Sequence, residues 1–252
     1  MSNTKEMDMS LLKDDESLDD LQLDGIHLIQ KNDGFRFGVD AVLLANFANV
    51  KNKHTVVDLC TGTGIIPFII KGKRNPKKII GVEIQSEFAE MANRSKMING
   101  FDDDIEFIEG DLKDINLIKK LPRADVLTVN PPYKLRNAGI VNETDKLSIA
   151  RHEIMCTLED VIASSRKILN DNGRMFIVHR PERLADIFTI MRKYKIEPKR
   201  VQMIHPNTKK AANIVLVEGQ RDGGAFLKWE APLFVYDENG NYSDEINKIY
   251  GK

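Results

Sequence analysis

The chain has 252 residues, 42% hydrophobic and 30% charged, with a net charge of −1, which is ordinary globular material with room for one large α/β core. No apolar run approaches the roughly 20 residues of a bilayer span, and no apolar stretch follows a basic start at the N-terminus, so a soluble, cytoplasmic protein without membrane contact is expected. Cys60 and Cys156 stand 96 positions apart with no CxxC, and the five histidines are scattered, so neither a disulfide framework nor a metal site is indicated.

In chain order, residues 1–24 hold eight acids against two lysines, and residues 1–20 read as a flexible acidic segment ahead of a single domain over 21–252. The remaining 228 residues carry 35 basic and 30 acidic side chains. After Gly34, "FRFGVDAVLLANFA" places Asp40 to cap a short helix that buries Val42, Leu43, Phe47 and Val50. The text then becomes a series of short apolar runs: "TVVDLC" (55–60), "KIIGVEI" (78–84), "IEFIEGD" (105–111), "ADVLTVN" (124–130) and "RMFIVH" (174–179). Helical stretches at 65–71, 87–99 and 158–169 lie between them. Strands separated by helices, and apolar on both faces, predict a doubly wound, mostly parallel sheet covered on both sides. "RVQMIH" and "ANIVLVEG" (212–219) follow without a helix between them, which predicts an antiparallel hairpin closing the sheet edge. "PLFVYDENGNYSDEINKIYG" is a tail with a turn at Asn239–Gly240.

The first strand carries the first chemistry. "VVDLCTGTGIIP" sets Asp58 at the strand end and follows it with Gly62 and Gly64 in a loop that opens a helix, where a ligand can approach bare backbone. Glu83 ends the next strand 19 residues past Gly64, a spacing at which an acid reaches the hydroxyls of a ribose, and Asp111 ends the third. Taken singly, each acid also reads as a loop or cap carboxylate. A dinucleotide fingerprint requires a third glycine where this chain has Pro67. Asp58 would repel a pyrophosphate but suits a cation such as the ammonium and sulfonium of S-adenosylmethionine.

"VNPPY" ends the fourth strand with Asn130, Pro131, Pro132 and Tyr133. Proline removes an amide donor and fixes φ, so the ladder ends and the chain stiffens. An amide oxygen on Asn130 and the Pro131 carbonyl then form two rigid acceptors, with Tyr133 as a flat stacking surface. Two acceptors match the two hydrogens of a planar amino group, whose nitrogen they activate by position and electrostatics.

Together "VVDLCTGTG", "GVEIQ", "EGDL" and "VNPPY" resemble class I S-adenosylmethionine-dependent methyltransferases of Rossmann-like fold, with a seven-stranded sheet. The flanking "DGFRFGVDAVLLANFA", "NIVLVEGQRDGG", "PLFVY" and "NGNYSDEI" narrow the resemblance to the bacterial tRNA(Val) adenine methyltransferases, over about Gln22 to Glu245. The resemblance implies methylation of an adenosine amine beside the anticodon, with cofactor contacts from Asp58, Gly62, Glu83 and Asp111, and with Arg36, Phe37 and Asp40 helping to cover the cofactor. It also implies that Arg151 and His152 follow a mobile loop, which they anchor unless they touch RNA. One departure is Cys60, where many relatives have glycine. The NPPY motif alone also fits a glutamine methyltransferase of release factors or a guanine amine methyltransferase of ribosomal RNA, and a fold kept only for RNA binding is the non-enzymatic alternative. Two basic clusters are candidate tRNA surfaces: Lys71, Lys73, Arg74, Lys77 and Lys78, then Arg192, Lys193, Lys195, Lys199 and Arg200, joined by Lys209 and Lys210.

Overall fold

The periodicity resolves into a doubly wound sheet preceded by a hairpin, in a computed structural model that describes residues 8–23, 25–33, 38–132 and 156–252. The hairpin is β1 (Glu16–Asp20) and β2 (His27–Lys31), and helix α1 (Val39–Phe47) follows it. The sheet then builds from β3 (Thr55–Leu59), α2 (Ile65–Arg74), β4 (Lys78–Glu83), α3 (Ser86–Asn99), β5 (Ile105–Glu109), α4 (Ile115–Lys120) and β6 (Ala124–Val129). Helix α5 (Leu158–Ile168), β7 (Leu169–His179), α6 (Leu184–Lys193), β8 (Ile196–His205) and β9 (Ile214–Arg221) complete the main body. The tail contributes β10 (Lys228–Trp229), β11 (Leu233–Phe234) and α7 (Asp244–Ile249).

In space the strands run β5, β4, β3, β6, β7, β9, β8, with parallel pairing from β5 through β7. The expected hairpin is present, with β9 inserted antiparallel between β7 and β8. Two-residue strands β10 and β11 lie along the outer side of β8, so among the described residues the sheet has nine strands where seven were expected.

Strand alternation sorts the core into two layers. Val56, Ile79, Val126 and Phe176 face α1, α2 and α7, whereas Val57, Leu59, Ile80, Leu127 and Ile177 face α4, α5 and α6. Local signals end the helices where the backbone needs them. Asn75 turns left-handed (φ 44°) after α2, and Thr157 with Asp160 forms a capping box before α5. Pro67 falls in the first turn of α2, where a missing amide costs nothing.

Three expectations are corrected. The acidic N-terminal segment is folded from residue 8: Glu16 is 5% exposed and takes two bonds from the Arg94 guanidinium, at 2.6 and 2.7 Å. Arg94 also binds Glu90 and the Leu11 carbonyl, while Leu11 and Leu12 pack against Ile29 and Met91. A charge run reads as solvated only until its partner is known, and this partner sits on α3, 78 residues away. Asp40 is not the cap of α1, because Gly38 occupies that position; Asp40 lies in the first turn and accepts the Ala41 amide at 3.0 Å. Strand β7 begins five residues before the apolar run at 174. Its polar start resembles a turn because Asn172 (φ 60°) bends the strand where the pairing with β6 shifts register.

Among the described residues no helix is long and apolar enough to cross a membrane, and no group of three or more His, Cys, Asp or Glu side chains is placed to hold a metal.

Replacing Arg94 with Met strands the Glu16 carboxylate in a buried position. Urea unfolding is expected to show a loss of about 3 kcal/mol, with faster proteolysis inside residues 8–20; unchanged stability and cleavage would refute the anchoring role.

Candidate active site

The period of β3 and β6 decides which polar groups gather at the upper edge, where the parallel strands end. Asp58 pairs in register with Thr128, and both point to the layer that contains α1. Asn130, two residues after Thr128, belongs to the same face.

Asp58 has no exposed surface. Its Oδ1 accepts from the Thr128 hydroxyl and its Oδ2 from the Thr61 hydroxyl, both at 2.6 Å. Burial pushes this carboxyl up to about 7, against the pull of the Thr128 and Thr61 hydroxyls, and the charge of Glu83 pushes the same way as burial. The predicted residue is therefore at the predicted place, but it sits beneath the loop with both oxygens engaged. Its partners Thr61 and Thr128 were missed in the sequence. Thr128 had a usable signal, since it lies two residues before Asn130 on one strand face.

The loop above Asp58 is left-handed at Cys60 (φ 55°), Gly62 (φ 57°) and Gly64 (φ 90°). The two glycines differ in what they permit. A Cβ on Gly62 would meet nothing within 4 Å, which leaves open space over bare backbone for a ligand, whereas one on Gly64 would lie 2.6 Å from the Phe107 ring. Glu83 ends β4 nearly buried; its Oε2 accepts the Gly62 amide at 2.8 Å and its Oε1 the Gln85 amide at 3.0 Å. Asp111 follows β5 half-buried and accepts the Lys113 amide at 2.8 Å, with the Lys113 ammonium 3.6 Å away. Asp58, Gly62, Gly64 and Glu83 thus form one connected unit, and Asp111 stands beyond it on the same edge. An open glycine backbone flanked by carboxylates fits a nucleoside that carries positive charge, as S-adenosylmethionine does.

Asn130 leaves β6 half-buried, and its amide nitrogen donates to Asp40 Oδ2 at 3.4 Å. Helix α1 thereby reaches the end of β6, and the Asn130 oxygen is the end of the amide turned away from that contact. Pro131 is buried and Pro132 exposed. Arg36, Phe37, Tyr133, Arg151 and His152 lie outside the described residues.

The two cysteines that sequence separation kept apart are neighbours. Both are free and pack against the same core layer; the Cys156 side chain, then burial, then the charges of Glu83 and Asp58 push the Cys60 thiol up.

The basic clusters occupy the other edge of the sheet. Lys78 pairs in register with Thr55 at the start of β3, and Ile196 pairs with Arg221 at the start of β8, so 71–78 and 192–195 lie where the parallel strands begin. Most of their charge is also committed. Lys71 pairs with Asp104 (2.8 Å), Lys78 with Glu106 (3.2 Å), Arg192 with Glu197 (2.7 Å) and Lys193 with Glu159 (2.5 Å). Lys73 binds Asn46 and the Ile249 carbonyl, and Lys199 the Gly224 carbonyl. Arg200 binds Glu218 and lies 3.9 Å from the centre of the Phe47 ring. Arg74, Lys77 and Lys195 are exposed. Lys209 and Lys210 differ, because the β8–β9 turn carries them above the upper edge, where both are exposed.

Several known proteins are similar to this chain. The chain is 25% identical over 222 residues to a tRNA1(Val) (adenine(37)-N6)-methyltransferase of Porphyromonas gingivalis, covering 85% of this chain and 86% of the relative. It is 26% identical over 227 residues to the enzyme of the same name from Aeromonas hydrophila, covering 88% and 92%. Among solved structures it is similar to a predicted O-methyltransferase from Agrobacterium tumefaciens, with a TM-score of 0.68, 22% identity, and 84% and 95% of the two chains covered. A geranyl diphosphate C-methyltransferase of Streptomyces coelicolor shares the fold at a TM-score of 0.55 and 13% identity, over 73% and 80% of the chains. The family model described as Methyltransferase small domain matches residues 38–195, from the start of α1 to the start of β8, and the chain therefore belongs to that family of methyltransferases.

Proposed function

We propose that this protein transfers a methyl group from S-adenosylmethionine to the exocyclic amine of an adenosine in tRNA, next to the anticodon. The observation that carries this reading is the presentation of Asn130 at the end of β6, with its amide nitrogen on Asp40 and its oxygen left to accept a hydrogen. The names of the two bacterial relatives support the choice of adenine and of tRNA.

S-adenosylmethionine, when bound, supplies an electrophilic methyl group on a sulfonium leaving group. Glu83, the Gly62 backbone and Asp111 would hold its nucleoside, with Asp58 contributing negative charge from beneath the loop. Asn130 and the Pro131 carbonyl would accept the two amine hydrogens, which concentrates electron density on nitrogen and aims it along the transfer line. Asp40 fixes which end of the Asn130 amide faces the amine. No general base is required, since the proton becomes acidic once the nitrogen is alkylated and can pass to water. An adenosine stacked in a loop cannot enter such a crevice without being extruded, which suits an unpaired region of RNA.

The deciding experiment incubates the protein and labelled cofactor separately with unmodified tRNA, ribosomal RNA and release factor, then identifies the labelled unit by mass spectrometry. Methyladenosine from tRNA is expected; methylglutamine or methylguanosine would replace this reading with another.

Asn130→Ala is expected to lower kcat at least about a hundredfold with cofactor affinity retained. Asp40→Asn is expected to lower kcat about tenfold by releasing the amide, with the tRNA dissociation constant unchanged. An effect of either variant on cofactor affinity alone would mean that the two subsites have been exchanged.

Asp58 makes cofactor binding pH-dependent. Its carboxyl is held up at about 7 in the ligand-free protein, and a bound cation favours the ionised form, so binding expels a proton. Cofactor affinity is therefore expected to rise with pH up to about 7 and then level off. Calorimetry in buffers of different ionisation enthalpy should detect proton release below pH 7 in the wild type and none in Asp58→Asn; identical profiles would remove Asp58 from the linkage.

A further inference from the structure

The tail of the chain builds a feature for which neither the sheet nor the methyl-transfer chemistry has a use. The rings of Tyr236, Tyr242 and Tyr250 form a ladder, with centroids 5.5 Å apart at each step and planes inclined by only 16° and 9°. Tyr250 is the half-buried end, whereas Tyr236 and Tyr242 are 41% and 38% exposed. A soluble protein normally spends tyrosine rings on its core or an interface, so two stacked rings open to solvent need a reason.

The position of the ladder supplies one. The Tyr236 amide donates to the Pro206 carbonyl at 2.8 Å, just past the upper end of β8, and Tyr236 pairs across to Tyr242. The turn that leaves the same corner carries Lys209 and Lys210, and the His205 ring contacts the Lys210 carbonyl at 2.9 Å. This is the edge of the sheet on which Asn130 lies. Tyr250, at the other end of the ladder, is close enough to Asp40 for that carboxylate to oppose its ionisation, though burial is the larger cause. Four acids share the tail. Asp237 accepts the amides of Asn239 and Asn241, both at 2.9 Å, Asp244 and Glu245 occupy the first turn of α7, and Glu238 is exposed.

We infer that Tyr236, backed by Tyr242, forms a stacking platform for an unpaired base of the RNA substrate next to the target adenosine, with Lys209 and Lys210 holding the adjoining phosphates. The inference rests on the tRNA reading above and adds to it the surface that grips the RNA. A base continues a ladder of parallel rings at no cost in sequence choice, because every base has a π face, and the lysines add a salt-dependent grip on the backbone. The platform also stands in for the two basic clusters, which lie on the far edge.

The test measures binding of a fluorescent, unmodified tRNA to the full chain. Tyr236→Ala is expected to weaken tRNA binding about tenfold and to raise KM with kcat little changed, while Tyr236→Phe binds as the wild type and calorimetric cofactor affinity is the same in all three. Lys209→Ala with Lys210→Ala should reduce the slope of log affinity against log salt by about two. A folded Tyr236→Ala protein that binds tRNA normally overturns the platform while leaving the methylation reading intact. A wild-type protein that neither binds nor methylates tRNA overturns both. Should Tyr236→Ala fail to fold, the wild type is photo-crosslinked to tRNA carrying 4-thiouridine: adduct on the peptide spanning 233–242 supports the platform, and adducts confined to other peptides reject it.

Discussion

A carboxylate without exposed surface ties three separate pieces of this chain together. Asp58 ends β3, Thr61 stands in the loop that follows, and Thr128 comes from the neighbouring strand, and both hydroxyls are spent on that one acid. A buried carboxyl that lost those donors would be far more costly to keep folded, so the loop must return over Asp58 and β6 must stay in register with β3. The left-handed turns at Cys60, Gly62 and Gly64 are how the backbone makes that return. Asn130 inherits its place from the same restraint, since Thr128 lies two residues before it on the same side of the strand. The glycine loop and Asn130 are thus both positioned by one buried group.

The doubly wound sheet, its closing hairpin and the order of acids along the upper edge were all legible, because each rests on short-range signals: apolar runs, a glycine loop, a pair of prolines. What was not legible depended on partners distant in sequence. The N-terminal hairpin looked unstructured because Glu16 is explained only by Arg94 on α3, and the contact between Cys60 and Cys156 exists only once the strands are assembled. The orientation of Asp58 was hidden for the same reason, since half of its hydrogen bonding comes from β6.

The placement of the basic clusters was legible as well. In a parallel sheet, residues just before a strand lie at the opposite edge from residues just after one. Lys77 and Lys78 precede and open β4, and Lys195 precedes β8, which puts them across the sheet from the site. Their charge also has a local purpose. Lys71, Lys73 and Arg74 sit in the last turn of α2, and Arg192 and Lys193 in that of α6, where the helix dipole favours cations. Exposed ion pairs such as Lys193 with Glu159 add little stability, but they remove those lysines from the pool available to a polyanion.

The tail that carries the tyrosine ladder also lines the rim of the sheet. Strand β8 is outermost, and β10 and β11 lie against it at two points, at Arg200–Val201 and at Ile204–His205. Without that cover, a ten-residue strand would offer free amides and carbonyls to any passing chain, which is how soluble proteins begin to aggregate. A shortened version of this protein that ended after β9 would therefore be exposed to self-association as well as stripped of its aromatic rings, and solubility would confound any comparison of its RNA affinity with that of the intact chain.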